Sequence, residues 1–288
     1  MRILITGGTS GIGQQLAMKL SAGGHYIDVI GGTNQVKGMN LVALSQGRIN
    51  YYPADLGNIG DVKRVAAEYL AEHNSLDCLV LNAGVYQREP VVDDLGVDKA
   101  FVVNYLHRFM LLLLLRPLLL NAEDARVLIN GSLNVGGLDL DEQVFGRQYS
   151  GMKGMNEAFK ANALMAYWLN HQCAYGIDID AINPGFVNTK MARKGNWLMR
   201  LMRDWFAISP AQAADKMHQL LLTSRLSFGG SYFNGLRDIG YRRSVTKQQH
   251  DFENLWQQSL RLANMQQPYW AGLPSVENSA GQKKLVIG

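Results

Sequence analysis

Two cysteines in 288 residues leave no disulfide framework to read. Cys78 and Cys173 lack Cys-x-x-Cys spacing, so both are expected as reduced core thiols of a cytosolic protein. Proline is scarce too, seven in all, and no linker, repeat or low-complexity tract divides the chain. The six histidines (25, 73, 107, 171, 218, 250) show no metal-ligand spacing, and no metal is expected. No apolar run approaches the thickness of a bilayer: the longest, Phe109–Leu115, closes at Arg116-Pro117. The first candidate strand starts at residue 2 or 3, leaving no room ahead of it for a secretion signal, so the expected location is cytoplasmic. Charged residues make up only 18% of the chain against 47% apolar ones, the balance of a globular protein with a sizeable core. The length suits one large α/β domain better than two ordinary ones.

The net charge of +4 is unevenly spread. Between Lys190 and Lys247 stand eleven Lys/Arg against three acids. No nucleic-acid motif accompanies them, and a solvated basic face is the reading preferred over a membrane surface or an anionic substrate.

What the chain does have begins at its first residues. Arg2-Ile3-Leu4-Ile5 is a short apolar run that breaks into Thr6-Gly7-Gly8-Thr9-Ser10-Gly11-Ile12-Gly13, after which Leu16, Ala17 and Leu20 fall at helical spacing. That order reads as buried strand, glycine-rich turn and helix start, where free N–H groups and the helix dipole suit a pyrophosphate. The spacing is Gly-x-x-x-Gly-x-Gly, not the usual Gly-x-Gly-x-x-Gly fingerprint, so a plain tight turn is the competing reading.

Further strands are expected at Tyr26–Ile30, Ile49–Pro53, Leu76–Leu81, Arg126–Asn130, Ile177–Ile182 and near Ser231–Phe233. Helices are expected at Val62–Glu72, about Leu95–Leu120, Tyr149–His171, Lys190–Phe206, Pro210–Leu222 and Val245–Leu262. The alternation implies a doubly wound parallel sheet of Rossmann type covered on both faces: one domain over 1–268, a lid at about 188–210, and a loosely ordered tail at 269–288. No acid stands just past the second strand, where one would accept from both hydroxyls of an adenosine ribose. Asp28 lies two residues inside, and Thr33, Asn34 and Lys37 are compatible with a phosphate, which favours NADP(H) over NAD(H). Asp55, with Leu56, follows the third strand and is read either as an acceptor from adenine or as a helix N-cap. Asn82-Ala83-Gly84 closes a strand at the end where ligands collect. Asn104 is the odd polar residue among Phe101, Val102, Val103, Tyr105 and Leu106, and a structural role is its default reading. Tyr149 and Lys153, four apart, share a helical face and in isolation would pass as an ordinary exposed pair. The leucine-rich helix and Tyr149–His171 are read as a homodimer or homotetramer interface, or simply as core.

Taken in order, the glycine turn, Asn82-Ala83-Gly84, Asn104, Ser132, Tyr149-x-x-x-Lys153 and Asn183-Pro184-Gly185 resemble the short-chain dehydrogenase/reductase family over about residues 2–240. Asn104-Tyr105-Leu106 before a leucine-rich helix, and the late Leu255-Trp256-Gln257-Gln258-Ser259, look like the branch of retinol dehydrogenases and protochlorophyllide reductases. The resemblance implies a catalytic group of Asn104, Ser132, Tyr149 and Lys153. It implies a cofactor lined by Thr6, Gly7, Gly11, Gly13, Asn82 and Gly84, with Thr9, Ser10, Ile12, Thr33, Asn34, Asp55, Leu56, Ala83, Tyr149 and Lys153 beside them. Pro184, Gly185, Val187 and Thr189 would border the nicotinamide, although Thr189 reads equally as the N-cap of the next helix. Tyr86, Asn134, Phe186 and Trp197 are the expected substrate contacts.

Two departures stand out. Sixteen residues separate Ser132 from Tyr149, more than most members carry, so an insertion around Leu138–Arg147 should alter one wall of the substrate pocket. Gly131 replaces the second serine found in many members, which leaves Ser132 unambiguous. The apolar stripe Trp197, Leu198, Leu201, Met202, Trp205 and Phe206 would be core packing in most chains; at this family's lid it suggests an apolar substrate. The expected activity is NADP(H)-dependent reduction of a ketone or aldehyde on a largely apolar small molecule. The alternatives are an NAD-dependent alcohol dehydrogenase using the same residues and a non-catalytic dinucleotide sensor.

Overall fold

The computed structural model describes residues 1–32, 34–92, 97–131, 138, 151–171, 173, 175–183, 208–222, 232–239 and 249–268. Within them the strands are β1 (Arg2–Thr6), β2 (Tyr26–Gly31), β3 (Ile49–Pro53), β4 (Cys78–Leu81), β5 (Arg126–Asn130), β6 (Asp178–Asn183), β7 (Tyr232–Asn234) and β8 (Arg237–Asp238). They form one sheet in the order β3-β2-β1-β4-β5-β6-β7-β8, parallel throughout except for the β7–β8 pair. The order reverses between β1 and β4, which is where a ligand crevice opens in a doubly wound sheet.

The helices are α1 (Gly11–Ala22), α2 (Gln35–Leu44), α3 (Ile59–Glu72), α4 (Lys99–Leu120), α5 (Gly151–His171), α6 (Pro210–Leu222) and α7 (Gln249–Leu262). Strand alternation assigns them to layers. Ile3, Ile5, Cys78, Val80 and Leu128 face a core built with α1, Leu41 of α2, and Ala214, Met217 and Leu221 of α6. Leu4, Leu79, Leu81, Val127 and Ile129 face the opposite core, built with α3, α4, α5 and α7.

Three elements differ from the sequence reading. α1 starts at Gly11 inside the glycine turn rather than at Gln14. α2 was not expected, because it buries only Gly38 and Leu41 while Val36, Met39 and Leu44 stay exposed, so no amphipathic stripe announces it. Asn34 caps it, its Oδ1 accepting from the Lys37 N–H at 3.2 Å. β8 spans two residues and carries no readable period.

α4 explains its own uniform apolarity. By length and composition it could cross a membrane, yet 83% of its most apolar window is buried inside the protein. α7 closes over it: Trp256 meets Phe109 edge-on at 5.1 Å and the Tyr105 and Ser259 hydroxyls are 2.9 Å apart, while Phe252 stacks on Trp168 of α5 at 5.4 Å. The expected helix thus holds as a single rod with core on several sides, widened by one π turn at Val102–Leu106. Such bulges recur at functional sites.

Three polar side chains of α4 are buried: Asn104, His107 and Arg108. His107 Nδ1 donates to the Val102 carbonyl at 3.3 Å, and Nε2 has no partner. Burial, with the neighbouring Arg108 cation, lowers its pKa from 6.5 to about 3. The folded chain therefore resists protonation, so His107's contribution to stability is complete above pH 6.5 and is lost as pH falls toward 3. Going from about pH 8 to about pH 5 should cost about 2 kcal/mol through this residue. Urea unfolding at both pH values would show it, with a smaller pH effect in His107→Asn; equal pH dependence in both chains would place the acid lability elsewhere.

Candidate active site

The backbone turns sharply where β1 ends. Gly7 stands at φ +71° and Gly11 at +60°, a left-handed conformation that glycine adopts without penalty. A Cβ on Gly7 would lie 2.8 Å from Ala83 Cα, so the turn is pressed against the end of β4. Thr6 fastens this contact: its buried Oγ1 accepts from the N–H groups of Asn82 and Ala83, both at 3.0 Å. Asn82 Nδ2 donates back to the Thr6 carbonyl at 3.3 Å. Gly13 packs from below, where a Cβ would sit 2.5 Å from the Gly7 carbonyl oxygen. Thr6 and Gly13 were expected beside the cofactor; the structure places them behind the wall, shaping the turn. Ser10 occupies the N-cap of α1 but its hydroxyl makes no capping bond, so no side chain there claims the first-turn N–H groups.

A cleft of about 590 Å³ runs over this turn. Gly7, Thr9, Ser10, Gly11 and Ile12 form its middle. Gly32, Asn34, Lys37, Ala54, Asp55 and Leu56 form the end beyond β2 and β3, and Asn82, Ala83, Gly84, Val85, Val103 and Asn130 form the end beyond β4 and β5. The structure thus gathers Thr9, Ser10, Ile12, Asn34, Asp55, Leu56, Asn82, Ala83 and Gly84 with Gly7 and Gly11. Left-handed glycines, an uncapped helix start and an elongated cleft suit a dinucleotide with its pyrophosphate on the turn.

Asp55 is not the N-cap of α3. That position belongs to Asn58, whose Oδ1 accepts from Asp61 N–H at 3.0 Å. Asp55 instead accepts from Gly57 N–H at 2.9 Å and pairs with Lys99 Nζ at 2.6 Å. Asp28 is out of play at the cleft: it is fully buried and receives Arg2, Asn50 and Tyr69, each at 2.8 Å.

Asn104 sits in the π turn, and both ends of its carboxamide are engaged. Oδ1 accepts from Val85 N–H and Nδ2 donates to Val85 C=O, each at 2.8 Å. Its own carbonyl accepts from Asn162 Nδ2 at 2.9 Å. The side chain clamps the loop after β4, which is the structural reading. Lys153 stands in the first turn of α5, half-buried. Tyr86 lines a separate shallow depression with Gln87, Arg88, Glu89 and Val91. Thr33, Ser132, Asn134, Tyr149, Pro184, Gly185, Phe186, Val187, Thr189 and Trp197 lie outside the described residues, as do most of the Leu138–Arg147 insertion, most of the lid and the tail.

Residues 1–197 match the family model described as short chain dehydrogenase. The chain belongs to the short-chain dehydrogenase family. It is similar to polyprenol dehydrogenase of Mus musculus, 28% identical across 90% of this chain and 82% of that protein. Retinol dehydrogenase 13 of Homo sapiens is 25% identical across 92% and 85%. A solved protein of Mycobacterium Paratuberculosis shares the fold with a TM-score of 0.70, at 22% identity over 93% and 95% of the two chains. As a short-chain dehydrogenase the protein is an NAD(P)-dependent oxidoreductase acting on a small molecule, on the side of the family that holds retinol dehydrogenases.

Five cleft-lining residues of this dehydrogenase escaped the sequence reading of its site. Gly32, Ala54, Val85, Val103 and Asn130 carry no distinctive chemistry in sequence, and Arg108, which holds two of the lining residues' carbonyls, escaped it as well. Arg108 had a signal: it is the lone formal charge between Lys99 and Arg116.

Proposed function

We propose that the enzyme reduces a ketone or aldehyde on a largely apolar small molecule, with NADP(H) as cofactor. Bound in the cleft, the dinucleotide supplies the hydride, which no side chain can. Tyr149 donates the proton to the carbonyl oxygen, and removes it in the reverse direction. Ser132 hydrogen-bonds the same oxygen and fixes its distance. Lys153, one helical turn from Tyr149 in sequence, favours the phenolate by its charge and holds the ribose hydroxyls. Asn104 acts on this group through the loop it clamps.

The observation that carries the cofactor choice is the wall beyond β2. Gly32, Asn34 and an exposed Lys37 form it, and Asp55, the one acid among the described residues lining the cleft, is paired with Lys99. A 2′-phosphate meets a cation there and, among the described residues, no free carboxylate. Lys37→Glu should therefore weaken NADPH at least tenfold, by about the worth of one exposed charge reversed against a phosphate, and leave NADH nearly unchanged. Fluorescence titration of both cofactors measures this. Equal NADPH and NADH affinity in the wild type would end the NADP(H) assignment.

A second reading is oxidation of an apolar alcohol by the same residues. The names of the relatives favour it, since one is called a polyprenol and another a retinol dehydrogenase.

A further inference from the structure

We propose that Arg108 is a specificity-determining residue: its buried cation, set under the nicotinamide end of the cleft, selects the reduced over the oxidised dinucleotide. This rests on the cofactor reading above.

The guanidinium is wholly inside the protein. Nη1 donates to the Asn130 carbonyl at 2.9 Å and Nη2 to the Ala83 carbonyl at 2.7 Å, so it bridges the carboxyl ends of β5 and β4. Its Cζ lies 5.9 Å from the centre of the Phe159 ring. Nε has no partner, and no carboxylate among the described residues bonds to it. Burial lowers its pKa to about 9, still above neutrality, so it is a cation at pH 7. Two carbonyl dipoles hold this charge without cancelling it, and an uncompensated buried charge is expensive unless something nearby uses its field.

Both carbonyls belong to residues that line the cleft. In a doubly wound sheet the adenosine half lies past β2, which leaves the β4–β5 end for the nicotinamide. The two redox forms share every phosphate and differ there by one positive charge on the ring. A fixed cation opposes that charge and is indifferent to the neutral reduced ring. At separations of roughly 8–10 Å and an effective dielectric near 20, the difference is about ten- to thirtyfold in relative affinity. The overall equilibrium is untouched. From a mixed pool the enzyme loads the reduced form and releases the oxidised one.

Dissociation constants for NADPH and NADP⁺ should be measured by calorimetry on the wild type, Arg108→Lys, Arg108→Met and Arg108→Gln. The wild type should prefer NADPH, Arg108→Lys should keep that preference, and Arg108→Met should reduce the ratio about tenfold. Arg108→Gln, which retains a donor for one of the two carbonyls, gives the same answer if the methionine variant does not fold. A purely structural arginine moves both constants together, and an unchanged ratio in the neutral variants overturns the proposal. So does a wild type that binds both forms equally. A wild type that binds neither form would sink the cofactor reading itself.

Discussion

Tyr149→Phe is expected to lower kcat by about a thousandfold, the usual worth of a positioned general acid. The NADPH dissociation constant should stay within about threefold, because the lost oxygen acts on the reacting carbonyl rather than on binding. A phenol with a pKa near 10 gives up a proton readily to an incoming alkoxide but reclaims one poorly at neutral pH. In the proposed mechanism the Lys153 ammonium corrects this by favouring the phenolate, so the wild-type rate of alcohol oxidation should rise with pH while that of carbonyl reduction should not. Stopped-flow reduction with a panel of neutral apolar ketones checks the first claim. A Tyr149→Phe chain that turned over within about tenfold of wild type would remove the tyrosine from the reaction.

The fold was largely legible because buried parallel strands and their helices write their periods directly. β1, the glycine turn and α1 can be read from Ile3, Leu4, Ile5, Leu16 and Leu20, all fully buried. α2 could not, since its apolar residues face outward, and β8 was too short. Within the site, the glycine turn and Asn82-Ala83-Gly84 announce themselves by composition, as a ligand approach requires. Their division of labour does not. Thr6 and Gly13 look like cofactor contacts in sequence, yet the hydroxyl of one is used by two backbone amides and the other is filled by its neighbours. Asn104 reads as catalytic by resemblance, and only the geometry shows its carboxamide held at both ends by Val85. Arg108 depends on two strand ends meeting across sequence separations of 22 and 25 residues, which no local pattern records.

Gly151→Ala should cost about a hundredfold in kcat/KM although it introduces the better helix former. By propensity alone, alanine in a helix is worth about 1 kcal/mol over glycine, so the variant ought to be more stable. The packing argues the other way. A Cβ on Gly151 would fall far inside contact distance of the Gln87 carbonyl oxygen, 3.0 Å from its carbon and 3.2 Å from Tyr86 Cε2. Gln87 belongs to the loop that Asn104 holds through Val85, so the obstacle is anchored backbone, not a side-chain tip that could swing aside. Overlap of this size costs about 1–3 kcal/mol and outweighs the propensity gain. Either the start of α5 or the loop must move by about an ångström. α5 carries Lys153 two residues on, and Tyr149 lies two residues before, so such a shift displaces the proton donor relative to the hydride source, where about 1 Å is worth about a hundredfold in rate. Steady-state kinetics and thermal unfolding of Gly151→Ala decide between the two forces. Raised thermal stability with undiminished kcat/KM would mean that the loop yields freely and that Asn104 does not hold it in place.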